Sequence, residues 1–356
     1  MIIKRMTHGF PATRRNQLLG LLPGIVLAST LGLIAATLQL IEERLLGHAL
    51  IEALVIAILL GMLWRNARGI APGLLPGIGF TAKEVLEIAI VLLGASIDFP
   101  ALLRAGPLLL LAIVAAVAVG ITASMTIGRA IGLNPRLATL VAVGNSICGN
   151  SAIAAVAPVI GAAAEDIASA IALTAVLGVA VVLLLPLLIP LLGLSLYQYG
   201  VLAGMTVYAV PQVLAATFSV STLSGQVGTL VKLVRVLLLG PVVLLFSLRQ
   251  RTRDAGARVA LHKLVPWFVI GFLLLGILRS GGVLPAAVGD PLREGSRWLT
   301  VAAMAALGLG VDLRAVRKVG LPVAGAVIAS LAVLLFVSIV LIRVCGIGAP
   351  LGPWNT

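Results

Sequence analysis

The sequence VGNSICGNSAIAAV, residues 143–156, places two Gly-Asn-Ser triplets inside an otherwise apolar region. The triplets begin at Gly144 and Gly149, five positions apart. On a continuous helix this spacing turns them about 140° from each other, so they could not share one face. Glycine weakens a helix, and Asn and Ser can hydrogen-bond an unwound backbone that lipid leaves unsatisfied. The pattern therefore predicts a helix broken at 144–150.

The residues on either side of this break extend the prediction. Asn134 and Pro135 are typical of a helix N-cap and first turn, and the apolar run continues to about Ala163. After the break we expect Asn150 or Ser151 to cap a second half-helix. The positive N-terminal end of that half-helix would then point into the membrane midplane and bind an anion. The alternative is close helix packing through small residues, with the Asn and Ser side chains bonding across helices.

The composition of the chain places this stretch in a membrane. Of the 356 residues 61% are hydrophobic and 10% are charged, and the mean hydropathy is +1.19. Continuous apolar runs long enough to cross about 30 Å of hydrocarbon predict helices rather than the alternating strands of a membrane barrel. Eleven spans are predicted, near 17–41, 49–64, 83–99, 106–128, 136–162, 167–193, 198–219, 227–248, 264–282, 298–313 and 320–343. No loop is long enough for a separate domain, so we expect one integral membrane unit over 1–356.

The distribution of basic residues predicts the orientation of the chain. With the N-terminal segment 1–16 in the cytoplasm, seventeen Lys and Arg residues fall at cytoplasmic ends and six at the other side. By the positive-inside rule this asymmetry predicts eleven spans with the N-terminus in the cytoplasm and the C-terminus outside. Because the basic residues are scattered over short loops, the formal charge of +13 indicates topology anchors and not a nucleic-acid partner.

A second feature is a pair of cations inside an apolar span. Lys232 and Arg235 lie one turn apart in GTLVKLVRVLLLGPVV, and Arg235 is about 21 Å along the helix from Arg249 at about 1.5 Å per residue. Charges at such depth usually face a cavity or a counter-ion. The clearest acids within spans are Glu52 and Glu87, so the cations suit an anionic substrate. The alternative is that both side chains reach the outer headgroups.

A third feature is GMTVYAVPQVLAAT, residues 204–217, which combines polar and helix-breaking residues within a span. Pro211 removes a backbone donor and is expected to kink or split the helix. Thr206 and Gln212 would then face the break at 144–150. An ordinary packed proline kink is the alternative.

One internal echo suggests a repeat. LLGASIDFPALLRAGP from residue 92 matches ALGLGVDLRAVRKVGL from residue 306 at an offset of 214, which pairs Gly94 with Gly308 and Asp98 with Asp312. Segments from residues 58 and 273 match at an offset of 215. In the predicted topology the partners run in opposite directions, as in an inverted repeat, and the two aspartates end helices on opposite faces. Chance recurrence of Gly, Ala and Leu is the alternative.

Three blocks together resemble the YeiH (UPF0324) family of bacterial inner-membrane proteins, often labelled sulfate exporters. They are GNSICGNSAIAAVAPVI from residue 144, LTAVLGVAVVLLLPLL from 173 and VKLVR from 231. The resemblance implies a secondary-transporter fold like that of bile-acid symporters and sodium/proton antiporters, with crossed broken helices in a core domain beside a panel domain. Where that family tends to carry a His-Asp pair, this chain has Tyr208 and Ala209, so the resemblance gives no proton-coupling residue there.

These features favour a secondary active or facilitative carrier of a small anion, such as sulfate or a sulfonate, working by alternating access. The predicted substrate-binding residues are Asn145, Ser146, Gly149, Asn150, Ser151, Thr206, Gln212, Lys232 and Arg235. The alternatives are a sodium-coupled organic-anion carrier, whose Na⁺ would bind backbone oxygens at the break, and an anion channel.

Several functions and partners are not expected from the sequence. We expect no metal, no cofactor and no enzyme, because His8, His48 and His262 lie at the edges of spans and no catalytic set falls within one. With few buried acids, uniport or anion exchange is favoured over proton coupling. Membrane lipid is a partner, and a homodimer through the panel helices is possible.

Overall fold

The computed structural model describes residues 14–46, 52–96, 106–250, 266–314 and 320–348, which form helices joined by short loops without any strand. In chain order the helices are α1 (Arg14–Leu46), α2 (Ala53–Arg68), α3 (Leu75–Phe80), α4 (Leu86–Leu93), α5 (Gly106–Ala130), α6 (Pro135–Val143), α7 (Asn150–Ile160), α8 (Ala164–Leu184), α9 (Leu188–Leu192), α10 (Leu196–Thr206), α11 (Val210–Phe218), α12 (Thr222–Leu237), α13 (Leu239–Gln250), α14 (Trp267–Ser280), α15 (Ala286–Gly310) and α16 (Leu321–Val344). For these residues the predicted all-α class is confirmed.

Five helical stretches among the described residues are long and apolar enough to cross a membrane. They are Gly20–Leu45, Pro107–Ala130, Ala164–Leu192, Thr222–Arg249 and Pro322–Val344, and they coincide with five of the eleven predicted spans. Large apolar side chains such as Leu111 and Phe336 are exposed on these helices, as expected for a surface in contact with lipid. Other predicted spans are short helices or are divided by breaks, so the count of eleven stays a prediction.

The helices pack as two bundles. The first bundle consists of α1 to α4 with α14 and α15, and the second is built around α5 to α8, α10 to α13 and α16. Each bundle therefore combines segments that are distant in the sequence. The bundles meet mainly where α11 packs on α2 and α15.

Two glycine contacts in the first bundle are related by the offset seen in the sequence. A Cβ atom on Gly94 would lie 2.4 Å from the carbonyl oxygen of Phe272, and one on Gly308 would lie 2.1 Å from that of Ile58. Only glycine permits such close approach of backbones. Gly94 and Gly308 are 214 positions apart, and so are Ile58 and Phe272, although the sequence match of that segment pairs residue 58 with 273 at an offset of 215. The same contact thus occurs twice. The position that supplies the glycine and the position that supplies the carbonyl oxygen each recur after 214 residues.

The segments containing these glycines run in opposite directions. Ser296 Oγ donates to the carbonyl of Ala89 at 2.7 Å, and Gly289, nearer the start of α15, lies beside Ala95. The described segment that ends at Ser96, two residues before Asp98, therefore lies beside the start of α15. Asp312 lies at the other end of α15. Asp98 itself is outside the described residues.

Candidate functional site

The first break lies between α6 and α7. The side chain of Asn134 accepts the N–H of Leu137 at 2.8 Å, which confirms the predicted N-cap. A π turn, Gly144–Cys148, follows α6, and Gly149 has φ 67° and ψ −124° before α7 starts at Asn150. The predicted break is confirmed.

The predicted cap of the second half-helix is wrong. Gly149 is the N-cap of α7, without a side-chain cap, and Asn150 and Ser151 are the first two residues of the helix. The reason is conformational, because a positive φ with this ψ is open to glycine and strained for Asn or Ser.

The second break separates α10 from α11. Val207 and Ala209 are extended, and Pro211 lies in the first turn of α11, so the predicted split is confirmed. A Cβ atom on Gly149 would lie 3.6 Å from the Cβ of Tyr208. The two breaks are therefore in contact, as the sequence hypothesis required and an isolated proline kink would not.

Helix α12 inserts the two cations at this meeting point. Lys232 and Arg235 are both 0% exposed, which excludes the alternative that they extend to headgroups. The Nζ of Lys232 donates to the carbonyl oxygen of Ile147 in the first break at 2.5 Å and to that of Val207 in the second at 2.8 Å. One ammonium group thus joins both breaks.

The guanidinium of Arg235 binds the same two segments through four carbonyl oxygens. Its Nε donates to Ser146 at 3.1 Å and its Nη2 to Asn145 at 3.0 Å. Its Nη1 donates to Gly204 at 2.8 Å and more weakly to Val207 at 3.4 Å. The side chain types of this site were predicted from the sequence, but its carbonyl partners were not.

Several polar atoms at the site have no partner within the described protein. They are Asn145 Oδ1, Ser146 Oγ and the hydroxyl of Tyr208, all buried. An ammonium group has three N–H donors and a guanidinium five, so Lys232 and Arg235 each retain a donor beyond the bonds described above. The two breaks therefore carry three unpaired polar atoms besides the cations, and one of them, Ser146 Oγ, lies beside Gly120 of α5.

The remaining predicted site residues have other positions. Asn150 and Ser151 are exposed at the start of α7, and Asn150 Oδ1 accepts from Thr174 Oγ1 at 3.0 Å. Thr206 Oγ1 donates to the carbonyl of Leu202 at 2.7 Å, and Gln212 Oε1 accepts the N–H of Ala209 at 3.1 Å. Thr206 therefore bonds the backbone within α10, and Gln212 bonds the backbone of the second break.

The acidic residues lie away from the cations. Glu52 precedes α2, and Glu87 in the first turn of α4 accepts the indole N–H of Trp267 at 2.6 Å. Asp312 pairs with Arg65 at 3.5 Å. No carboxylate among the described residues bonds Lys232 or Arg235, and no group of three or more His, Cys, Asp and Glu there could hold a metal ion. His8, His48 and His262 lie outside these residues.

A cavity of about 280 Å³ lies between the two bundles. Its lining includes Arg293 and Arg297 from α15, Ser96, Thr222 at the start of α12, and Glu52, whose Oε2 is buried without a partner. Both arginines belong to the six basic residues predicted at the side opposite the cytoplasm. Their spacing of one helical turn was the available signal.

The chain was compared with known proteins. The family model described as Conserved hypothetical protein 698 matches residues 23–326. A UPF0324 membrane protein of Brucella melitensis biotype 1 is 53% identical over 337 residues, 95% of this chain and 94% of the relative. The UPF0324 membrane protein TauZ of Paracoccus pantotrophus is 37% identical, covering 84% of this chain and 88% of TauZ. A UPF0324 membrane protein of Bacillus cereus is 35% identical, covering 75% and 79% respectively. No solved structure matches.

Proposed function

The chain belongs to the UPF0324 family of multi-pass membrane proteins, and from this premise we propose that it carries a small anion across the bacterial inner membrane by alternating access. The observation that supports this most is the buried pair Lys232 and Arg235 at the contact of two broken helices, without a carboxylate among their described partners.

The charge balance of the site favours an anionic ligand. Two formal positive charges are buried, and their bonded partners are carbonyl oxygens, which supply only partial negative charge. Placing a charge in the bilayer interior costs several kcal/mol unless it is compensated. A bound anion would supply the missing charge and accept hydrogen bonds from the spare donors of the cations and from the hydroxyl of Tyr208.

The proposed substrate is a sulfur oxyanion or a sulfonate. The several donors at one place suit a small group with oxygen acceptors on more than one side. The choice of sulfur among oxyanions rests on the resemblance to proteins labelled sulfate exporters. A sodium-coupled organic-anion carrier is the second candidate, and a channel is less favoured because charged rings and filter motifs are absent from the sequence.

The architecture supports alternating access. The first bundle acts as a panel and the second as a core, and the exchanged glycine contacts at an offset of 214 support an inverted repeat within an eleven-span topology. With the N-terminus in the cytoplasm, the cavity at Arg293 and Arg297 opens on the outer side and gives the anion an entry between the bundles. Helices of the panel are also the proposed surface of a homodimer.

Reconstitution in liposomes tests the function. We expect saturable uptake of labelled sulfate or sulfonate and acceleration by the same unlabelled anion on the other side. Arg235→Gln is expected to raise the apparent Kd about tenfold, which corresponds to about 1.4 kcal/mol. Arg129→Gln, at an exposed position at the end of α5, is the matched control and should bind as the wild type does. Equal binding by both variants would contradict the proposal.

A further inference from the structure

We infer that Lys232 and Arg235 occupy a site that would otherwise bind an alkali cation, so that their charged side chains take the place of a coupling ion. This site, the cage, is formed by the carbonyl oxygens of Asn145, Ser146, Ile147, Gly204 and Val207. The cage would bind sodium when Lys232 is replaced by a residue with a shorter, uncharged side chain. Cation binding by such a variant is independent of the proposed function, whereas the consequence for transport rests on it.

The carbonyl oxygens of the cage are those that the two breaks release. Asn145, Ser146 and Ile147 lie in the π turn that ends the first half-helix, and Gly204 and Val207 lie at the C-terminal end of α10. The last carbonyl groups of a helix have no partner within it and form its negative end. Two such ends converge here, because all five oxygens accept from the two cations.

The geometry at Lys232 fits a small hard cation. Its Nζ donates to carbonyl oxygens of the two different breaks, and backbone oxygens at broken membrane helices are typical sodium ligands. Lys232 is 0% exposed. Without its ammonium group, the carbonyl of Ile147 would lose this donor and that of Val207 would keep only the weak bond from Arg235. Na⁺ would replace one unit of positive charge by another.

The consequence for transport is independence from sodium. A cation held on a side chain cannot cross the membrane, so the anion is the only charge of this site that exchanges with solution. Wild-type flux should therefore be the same in sodium and choline salts. This separates the chain from a sodium-coupled carrier, in which the same oxygens would release their ion at each cycle.

The test uses the full-length protein with Lys232→Ala, and Lys232→Arg as the control that keeps a cation in place. Thermal unfolding is measured in detergent at equal ionic strength in NaCl, LiCl, KCl and choline chloride, and binding of labelled sodium is measured by equilibrium dialysis. Lys232→Ala is expected to unfold several degrees higher in NaCl or LiCl than in choline chloride and to bind one Na⁺ per chain, since a ligand of the native state raises its stability. Wild type and Lys232→Arg should show neither effect.

Arg235→Ala tests the same cage from its other side by releasing the carbonyls of Asn145, Ser146 and Gly204. Both alanine variants are also followed by size-exclusion profiles of detergent extracts in each salt, which requires no purification. Variants that unfold alike in all four salts, or bind no more Na⁺ than wild type, overturn the inference. Solvation of the cage by water would give that result.

Flux measurements separate this inference from the proposed function. In liposomes, sulfate uptake by Lys232→Ala is expected to rise at least fivefold on replacing choline with sodium, while wild-type uptake does not change. If the wild type transports no anion but Lys232→Ala still binds Na⁺, the proposed function is contradicted and the sodium site is supported. If the wild type transports sulfate and Lys232→Ala ignores sodium, the cage fails alone.

Discussion

At the residue scale, Ser146 and Tyr208 each place a hydroxyl without a partner on one of the breaks. Both residues are buried, and neither hydroxyl has a partner among the described residues. An unsatisfied buried polar group costs the fold about 1 to 3 kcal/mol, so evolution towards stability alone would remove it. In the proposed function the substrate is the partner of the Tyr208 hydroxyl, whereas Ser146 Oγ lies beside Gly120 of α5.

Tyr208→Phe is therefore expected to leave the melting temperature unchanged or raise it, while it weakens anion binding about tenfold, or about 1.4 kcal/mol. The measurements are thermal unfolding and isothermal titration with sulfate and a sulfonate.

Tyr199→Phe provides the opposite case. The hydroxyl of Tyr199 is also buried, but it donates to the carbonyl of Ala216 at 2.7 Å. Its loss should lower stability by about 1 kcal/mol and leave anion binding unchanged. If Tyr208→Phe behaved like Tyr199→Phe, losing stability and keeping affinity, Tyr208 would be a structural residue.

The residue types of the site were predictable because charge and polarity are expensive in an apolar span. That principle identified Lys232, Arg235, Asn145 and Ser146 from the sequence alone. It could not identify the bonding partners, since every residue has a carbonyl and only the fold decides which ones are released at a break. Tyr208 was likewise visible as a polar residue beside a break, but its unpaired hydroxyl is a property of the packing.

At the element scale, Gly149 decides where α7 begins. Its φ of 67° and ψ of −124° lie outside the regions that residues with a Cβ adopt without strain. Gly149→Ala should cost about 1 to 3 kcal/mol of stability and displace the carbonyls that hold Lys232 and Arg235, with loss of anion binding. Thermal unfolding and titration with sulfate measure both effects.

Gly161→Ala is the matched control for that change. Gly161 ends α7 with φ 62° and ψ 43°, and a Cβ atom there would meet open space. The left-handed conformation costs alanine about 1 kcal/mol, but this end of α7 is remote from the cations. Anion binding that falls equally in both glycine variants would show that general destabilisation is the cause.

The breaks themselves were predictable from local rules, and the spans only in part. Two glycines five residues apart and a proline within an apolar run predict helix breaks in any fold. The capping role of Asn150 or Ser151 was wrong because the N-cap preference for polar side chains yields to glycine when the turn requires a positive φ. Span counting is weaker, since a broken helix divides one apolar run into two short pieces.

At the scale of the whole molecule, the offset of 214 was visible in the sequence, but the sequence did not show whether the matched segments make equivalent contacts. Small residues recur in any membrane helix, so the echo alone could not exclude chance. The contacts Gly94–Phe272 and Gly308–Ile58 give it a physical content, because the pairs exchange under the same offset. The division into two bundles depends on long-range packing and was accessible from the sequence only through the family resemblance.

Alternating access requires the bundles to move against each other, and one hydrogen bond between them allows a direct test. The Nε2 of Gln226 in α12 donates to the carbonyl of Ser96, beside α4, at 3.0 Å. In a chain with Cys148 and Cys345 replaced, cysteines at positions 96 and 226 joined by a short bis-thiol reagent should fix the bundles in this arrangement. Sulfate exchange in liposomes is expected to fall at least tenfold and to return on reduction.

The matched control joins two helices of the first bundle. Ser296 Oγ donates to the carbonyl of Ala89 at 2.7 Å, so cysteines at these positions are similarly close but lie on α15 and α4, which belong to one bundle. That cross-link should leave exchange intact, because a rigid body moves as a unit. Exchange that survives the link between 96 and 226, with cross-linking shown to be complete, would mean that anions cross without relative motion of the bundles. A channel would then replace the carrier as the better description of this membrane protein.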